Sequence, residues 1–217
     1  MKPSATDRRR LAFTLIEVII VVAVLITAAM VFLPTIMRPP RVTSSRISCV
    51  NNLKQLGLAY KIWELDNGDR LPFHVSITNG GAMEPAMAGN PALVFEVMSN
   101  ELSTPKILLC PRDGTRRAAT NFLTLRSTNL SYFVGLEATN TAPSAFISGD
   151  RNLTNAGGVK GGVLLASTND PVSWTAALHQ NCGNIGLADG SVQQFSTIRL
   201  REAIANTGFP TNRLLMP

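Results

Sequence analysis

The chain has 217 residues, of which 45% are hydrophobic and 16% charged, and a formal net charge of +6. Residues 11–33 hold 20 apolar residues out of 23, so the apolar excess is concentrated in one segment and the remainder has ordinary globular composition. This excludes a disordered chain, a collagen-like repeat and a membrane protein of several helical spans.

The charge is also localised. Lys2, Arg8, Arg9 and Arg10, less Asp7, place +3 in the first twelve residues, and the other 205 carry only +3. With scattered Lys and Arg and only two Trp and two Tyr to stack on bases, no nucleic-acid partner is expected. From Phe13 to Leu33 the chain reads FTLIEVIIVVAVLITAAMVFL. At about 1.5 Å rise per residue this is roughly 30 Å of helix, the thickness of a bilayer core. The arginines just before it predict a cytoplasmic N-terminus, with everything after Leu33 outside. A cleaved secretory signal begins the same way, and Thr27-Ala28-Ala29 offers a small-residue site, but this run outlasts a usual signal core and carries an acid near its start. That acid is Glu17. An intramembrane carboxylate costs on the order of 2.5 kcal/mol or more and is by default a functional residue; the alternative is an interfacial side chain snorkelling from a plain anchor.

The string RRRLAFTLIEVIIVVAVL, residues 8–25, resembles the class III signal of type IV prepilins and type II secretion pseudopilins. The resemblance implies a leader of residues 1–12, removed by a membrane prepilin peptidase that cuts between Ala12 and Phe13, and N-methylation of the new N-terminal Phe13. The family prefers Gly before the cut, where this chain has Ala12. Glu17 becomes the fifth mature residue, whose carboxylate in the family neutralises the α-amino cation of a neighbouring subunit as helices stack into a filament core. A charge pair in an apolar core must be matched well or not made, so Glu17 would set the register between subunits. Pro34 stands where filament subunits often carry a proline that kinks the helix. Pro39 and Pro40 bias Met37 and Arg38 away from helix, so a hinge is expected between an anchor of residues 13–38 and an exported domain of residues 39–217.

In that domain Cys49, Leu53, Leu56, Tyr60 and Trp63 recur at steps of four and three, one face of an amphipathic helix that Ser44 or Ser45 can cap and Gly68 can end. KILLCP at 106–111, SYFVG at 131–135, AFISG at 145–149 and GVLLAS at 162–167 read as strands. NIGLA and SVQQF flank Asp189-Gly190, a pair favoured in tight hairpins because both positions tolerate positive φ. The expected fold class is α+β, a long N-terminal transmembrane and amphipathic helix packed on an antiparallel β-sheet, which is the pilin-like architecture that the leader resemblance implies. SCVNNLKQLGLAYKIWELDNGDRLP is similar to the helix-to-loop segment of pseudopilins. CPRD at 110–113 and the nine residues between His179 and Asp189-Gly190 resemble an H-x9-DG subgroup of prepilin-like proteins.

Three cysteines, Cys49, Cys110 and Cys182, fall in the part expected outside the membrane, where disulfides persist. Cys49 lies on the core side of its helix and Cys110 ends an apolar run, so a Cys49–Cys110 bond is the favoured pair, with Cys182 left over or the rival partner. The major pseudopilins carry calcium in a C-terminal loop, but Asp150, Asp170, Asp189 and Glu202 are dispersed here and that site cannot be carried over. No Cys or His pair has zinc spacing, so neither metal nor cofactor is expected. Asp189 reads as a turn residue and His179 as an organiser of the last loop. With two His, no P-loop and no G-x-S-x-G, and with GGVKGG at 157–162 reading as a flexible loop, an enzyme is not expected.

The expected role is structural: a pseudopilin of a type II secretion or type IV pilus-like filament, held in the inner membrane by a single pass with its domain in the periplasm. Its expected partners are the prepilin peptidase, other pilin or pseudopilin subunits, the inner-membrane assembly platform and membrane lipid. The alternatives are a type IV pilin for adhesion, motility or DNA uptake, and a membrane-tethered module that forms no filament.

Overall fold

A computed structural model describes residues 14–36 and 41–217. The chain divides into two compact units, Met1–Arg41 and Val42–Pro217. The first contains helix α1, Leu15–Ile36, made almost wholly of Leu, Ile, Val and Ala. Leu15–Phe32 is long and apolar enough to cross a membrane, and none of it is buried within the protein. Pro34 does not end the helix, which runs two residues past it to Ile36. The expected hinge at Pro39 and Pro40 and the processing positions Ala12 and Phe13 lie outside the described residues.

The second unit opens with α2, Arg41–Asp66. Ser44 and Ser45, expected at the start of this helix, lie inside α2 as described. At its other end the Asp69 amide donates to the Glu64 carbonyl while Gly68 takes φ +68°, a left-handed cap that only glycine adopts without cost. Cys49, Leu53, Leu56, Tyr60 and Trp63 are all buried, in one cluster with Tyr132, Val134, Ile147 and Leu215 of the sheet.

Short helical pieces follow, including α3 (Met83–Met87), α4 (Pro91–Val97) and α5 (Ser99–Leu102). KILLCP belongs to this helical region rather than to a strand. Thr104 caps a 3-10 turn at Pro105–Leu108 by accepting a hydrogen bond from the Lys106 amide, and Pro105 fixes φ at its first position, so Leu108 and Cys110 are buried, and Ile107 and Leu109 half-buried, without a ladder.

The strands are β1 (Tyr132–Gly135), β2 (Phe146–Asp150), β3 (Leu153–Thr154), β4 (Val159–Lys160), β5 (Val163–Ser167), β6 (Ser173–Trp174), β7 (Cys182–Leu187) and β8 (Val192–Ser196), then helix α6 (Thr197–Asn206) and β9 (Thr211–Leu215). Seven form one antiparallel sheet in the order β4-β5-β9-β1-β2-β7-β8, and β3 pairs with β6 separately. The period of two sorts the side chains: Tyr132, Val134 and Leu215 join the cluster containing α2, whereas Phe133 and Leu214 join a second cluster with Leu200 and Ile204 of α6. The sheet is therefore covered on both faces, and β9 pairs on one side with β5 and on the other with β1.

Both hairpin turns differ from the sequence reading. The turn with two left-handed residues is at Gly161-Gly162, φ +55° and +77°, between paired Lys160 and Val163, so part of GGVKGG is an edge hairpin rather than a flexible loop. At Asp189-Gly190 only Gly190 is left-handed, φ +86°. The Gly190 amide donates to the Leu187 carbonyl and the Leu187 amide to the Ser191 carbonyl, a three-residue loop with a bulge. The Asp189 carboxylate accepts the Ser191 amide at 2.8 Å, an Asx-type turn.

Cys49 and Cys110 form a disulfide with Cα atoms 5.1 Å apart across 61 residues, and Cys182 is unpaired among the described residues. Loop-closure entropy puts the contribution of this bond at about 4 kcal/mol. Urea unfolding of the Cys49→Ala, Cys110→Ala double variant without reductant should show a loss of that order; an unchanged midpoint would contradict it.

Candidate functional site

Two groups of residues carry chemistry. The first is the start of α1. The Glu17 amide donates to the Thr14 hydroxyl oxygen at 3.4 Å, and the Glu17 carboxylate accepts from the Thr14 amide at 2.9 Å and from its hydroxyl at 2.9 Å. This is a reciprocal capping box, legible in the sequence as Thr14-Leu15-Ile16-Glu17 but missed by the reading above. Glu17 is solvent-exposed, as are the residues around it on α1. Its charge thus has a local hydrogen-bonding role and remains open to a further partner.

The second group lies inside the domain. The His179 ring places Nε2 3.4 Å from the Cys110 sulfur and 3.3 Å from Oδ2 of Asp150, and both side chains of the His–Asp pair are fully buried. Asn184 on β7 donates to the same Asp150 oxygen from its amide at 2.7 Å and from Nδ2 at 2.8 Å. Two Asn184 donors and the His179 Nε2 therefore converge on one carboxylate oxygen, while Oδ1 of Asp150 and Nδ1 of His179 are buried without a hydrogen-bond partner. Tyr132, opposite Asp150 in the β1–β2 register, is held well above the usual phenol range by burial and then by the Asp150 charge. The backbone beside His179 is anchored from outside: Arg46 donates to the His179 carbonyl and Arg112 to the Leu178 carbonyl, each at 3.4 Å, next to left-handed Gln180 and Asn181. His179 thus ties together the last loop, β2 and the disulfide. No spacing signal announces this, because the residues involved lie far apart in sequence.

Cys110, His179 and Asp150 are the residue types of a nucleophile relay, but a relay needs one ring nitrogen on the nucleophile and the other on the carboxylate. Here a single nitrogen faces both, and the sulfur is already bonded to Cys49. A cleft of about 620 Å³ beside the site is lined by residues including Arg46, Asn51, Lys54, Gln180 and Gln194, with no carboxylate, thiol, hydroxyl or imidazole among them. The arrangement is suited to holding segments together rather than to activating a substrate. Asp170 accepts from Asn155 at 2.8 Å, and Asp189 serves its turn.

Asp113, of the CPRD string, heads a separate network. Its carboxylate accepts from Arg151 Nε at 2.7 Å, Arg151 Nη2 at 2.9 Å, Ser131 at 2.8 Å and Thr115 at 2.7 Å. Burial alone would raise its pKa, but the bonds from Arg151, Thr115 and Ser131 and the Arg151 charge outweigh it and hold the group at about 2, below the usual 3.8. A depressed carboxylate stabilises the fold above its unfolded pKa, and that contribution is lost as pH falls toward the folded value. The wild-type urea midpoint should fall between about pH 4 and about pH 2 more steeply than that of Asp113→Asn; parallel curves would remove this role. Compared with known proteins, the chain matches no family model, no curated protein and no solved structure.

Proposed function

We propose that the protein is a pilin-like structural subunit, a pseudopilin of a type II secretion or type IV pilus-like filament, made as a prepilin and processed between Ala12 and Phe13. The observation that carries this reading is α1: an apolar helix with Leu15–Phe32 unburied and a carboxylate, Glu17, in its first turn. Such a surface needs lipid before assembly and neighbouring helices after it, and bilayer and filament core both meet that need. In this reading the N-terminus is cytoplasmic, α1 spans the inner membrane and the sheet domain is periplasmic. Prepilin peptidase, an assembly platform and other subunits are the partners. The buried junction at His179 and the disulfide then serve as rigid support for a domain that decorates the filament.

The capping box makes the choice of variant matter. Glu17→Gln keeps a side chain that can complete the box yet removes the charge, whereas Glu17→Ala removes both. If Glu17 pairs with the N-terminal cation of a neighbour, each variant is lost from sheared filaments while staying inserted in the membrane. Normal incorporation of Glu17→Gln would show that only the cap matters and would end the pairing role. The mass and N-terminal sequence of protein from cells with and without the peptidase give the second check. A peptidase-dependent chain beginning at methylated Phe13 is expected, and an intact N-terminus in both strains would overturn the filament reading.

A further inference from the structure

The disulfide junction has a second chemical state. We infer that when the Cys49–Cys110 bond is reduced the junction is a zinc site, with Cys49, Cys110, His179 and Asp150 as ligands. One ligand atom from each of Cys49, Cys110 and His179 already lies within 4.8 Å of the others, all three buried, and Asp150 stands outside this group, touching it through His179. With Zn–S of about 2.3 Å and Zn–N or Zn–O of about 2.0–2.2 Å, tetrahedral ligands stand roughly 3.3–3.8 Å apart. The Cys110 sulfur to His179 Nε2 distance of 3.4 Å and the His179 Nε2 to Asp150 Oδ2 distance of 3.3 Å fall in that range without rearrangement. Reduction frees the two sulfurs to move apart, and Cys110 sits in a loop rather than in a ladder, so its side chain can turn.

The surroundings suit a metal. Asn184 holds the Asp150 carboxylate with two hydrogen bonds, an orientation of the kind that outer-sphere groups give metal ligands. Two thiolates and a carboxylate around Zn2+ leave one negative charge, and the guanidinium groups of Arg46 and Arg112 anchor the same loop. The chemistry balances simply. A dithiol supplies two electrons and two protons to open the disulfide and leaves as its own disulfide. Zn2+ then displaces the two thiol protons to solvent, and His179 binds through an unprotonated Nε2 with its ring proton on Nδ1, with no electron transfer. Disulfide and zinc are thus alternative crosslinks of the same segments, and the metal form keeps Cys49 and Cys110 from pairing with Cys182.

The test uses the full chain in detergent, reduced with a dithiol, desalted without oxygen and titrated with Co2+. The expected result is one Co2+ per chain with thiolate-to-cobalt charge-transfer and tetrahedral ligand-field bands, displaced by Zn2+, and no such bands in the oxidised protein. His179→Gln and Asp150→Asn should weaken Co2+ binding by about 10–100-fold, and Cys182→Ser should leave it unchanged. Absence of bands in the reduced wild type, undiminished binding by His179→Gln, or loss of binding in Cys182→Ser would overturn the inference. Should the buried variants fail to fold, the unaltered chain decides: Zn2+ should raise the Tm of the reduced but not of the oxidised protein, and no rise on reduction would sink the site.

Discussion

The domain depends on one buried junction, where residues 49, 110, 150 and 179 meet. A carboxylate and an imidazole without solvent access are tolerable only when paired and hydrogen-bonded, and here they are paired with each other, with Asn184 and with the disulfide face. Each participant comes from a different part of the fold: helix α2, the loop after the 3-10 turn, strand β2 and the loop before β7. The junction therefore fixes how the helix lies on the sheet more specifically than apolar packing could, since leucines slide over one another at little cost whereas a disulfide seated against a buried His–Asp contact does not. The Asp113–Arg151 network repeats the device nearby, linking the loop after Cys110 to the end of β2.

The two units answer to different solvents. The domain buries its apolar side chains against itself in two layers. Helix α1 buries none of Leu15–Phe32, and its composition makes water a poor environment for it. Its only strongly polar group in that span, Glu17, is satisfied locally by Thr14, which lowers the cost of placing a carboxylate in an apolar phase. A side chain held in the first turn by its own cap is also pre-oriented for any cation that reaches the helix end.

Patterns with a short period were legible in the sequence. The four-and-three spacing from Cys49 to Trp63 marks the buried face of α2, SYFVG and GVLLAS contain β1 and β5, and AFISG holds all of β2 but Asp150. What failed were segments whose conformation is decided by residues outside the string, next to it or far from it. KILLCP has the apolar content of a strand, but Thr104 and Pro105 wind it into a turn. The TNRLL segment of β9 has one charged and two polar residues and no strand signature of its own; it is a strand because β5 and β1 supply its ladders. The meeting of Asp150 with His179 was invisible for the same reason: it follows from sheet order, which no local pattern encodes.

That order has a temporal consequence. Strand β9 fills the gap between β5 and β1, so until residues 211–215 have emerged the sheet is two fragments, β4-β5 and β1-β2-β7-β8, each with an open edge facing a vacancy. Synthesis delivers these strands in numerical order, yet the piece that joins them arrives last. The sheet therefore cannot be complete before this last of the nine described strands is in place. Pairing of this one strand covers the edges of both β5 and β1, which makes it the clasp of the fold.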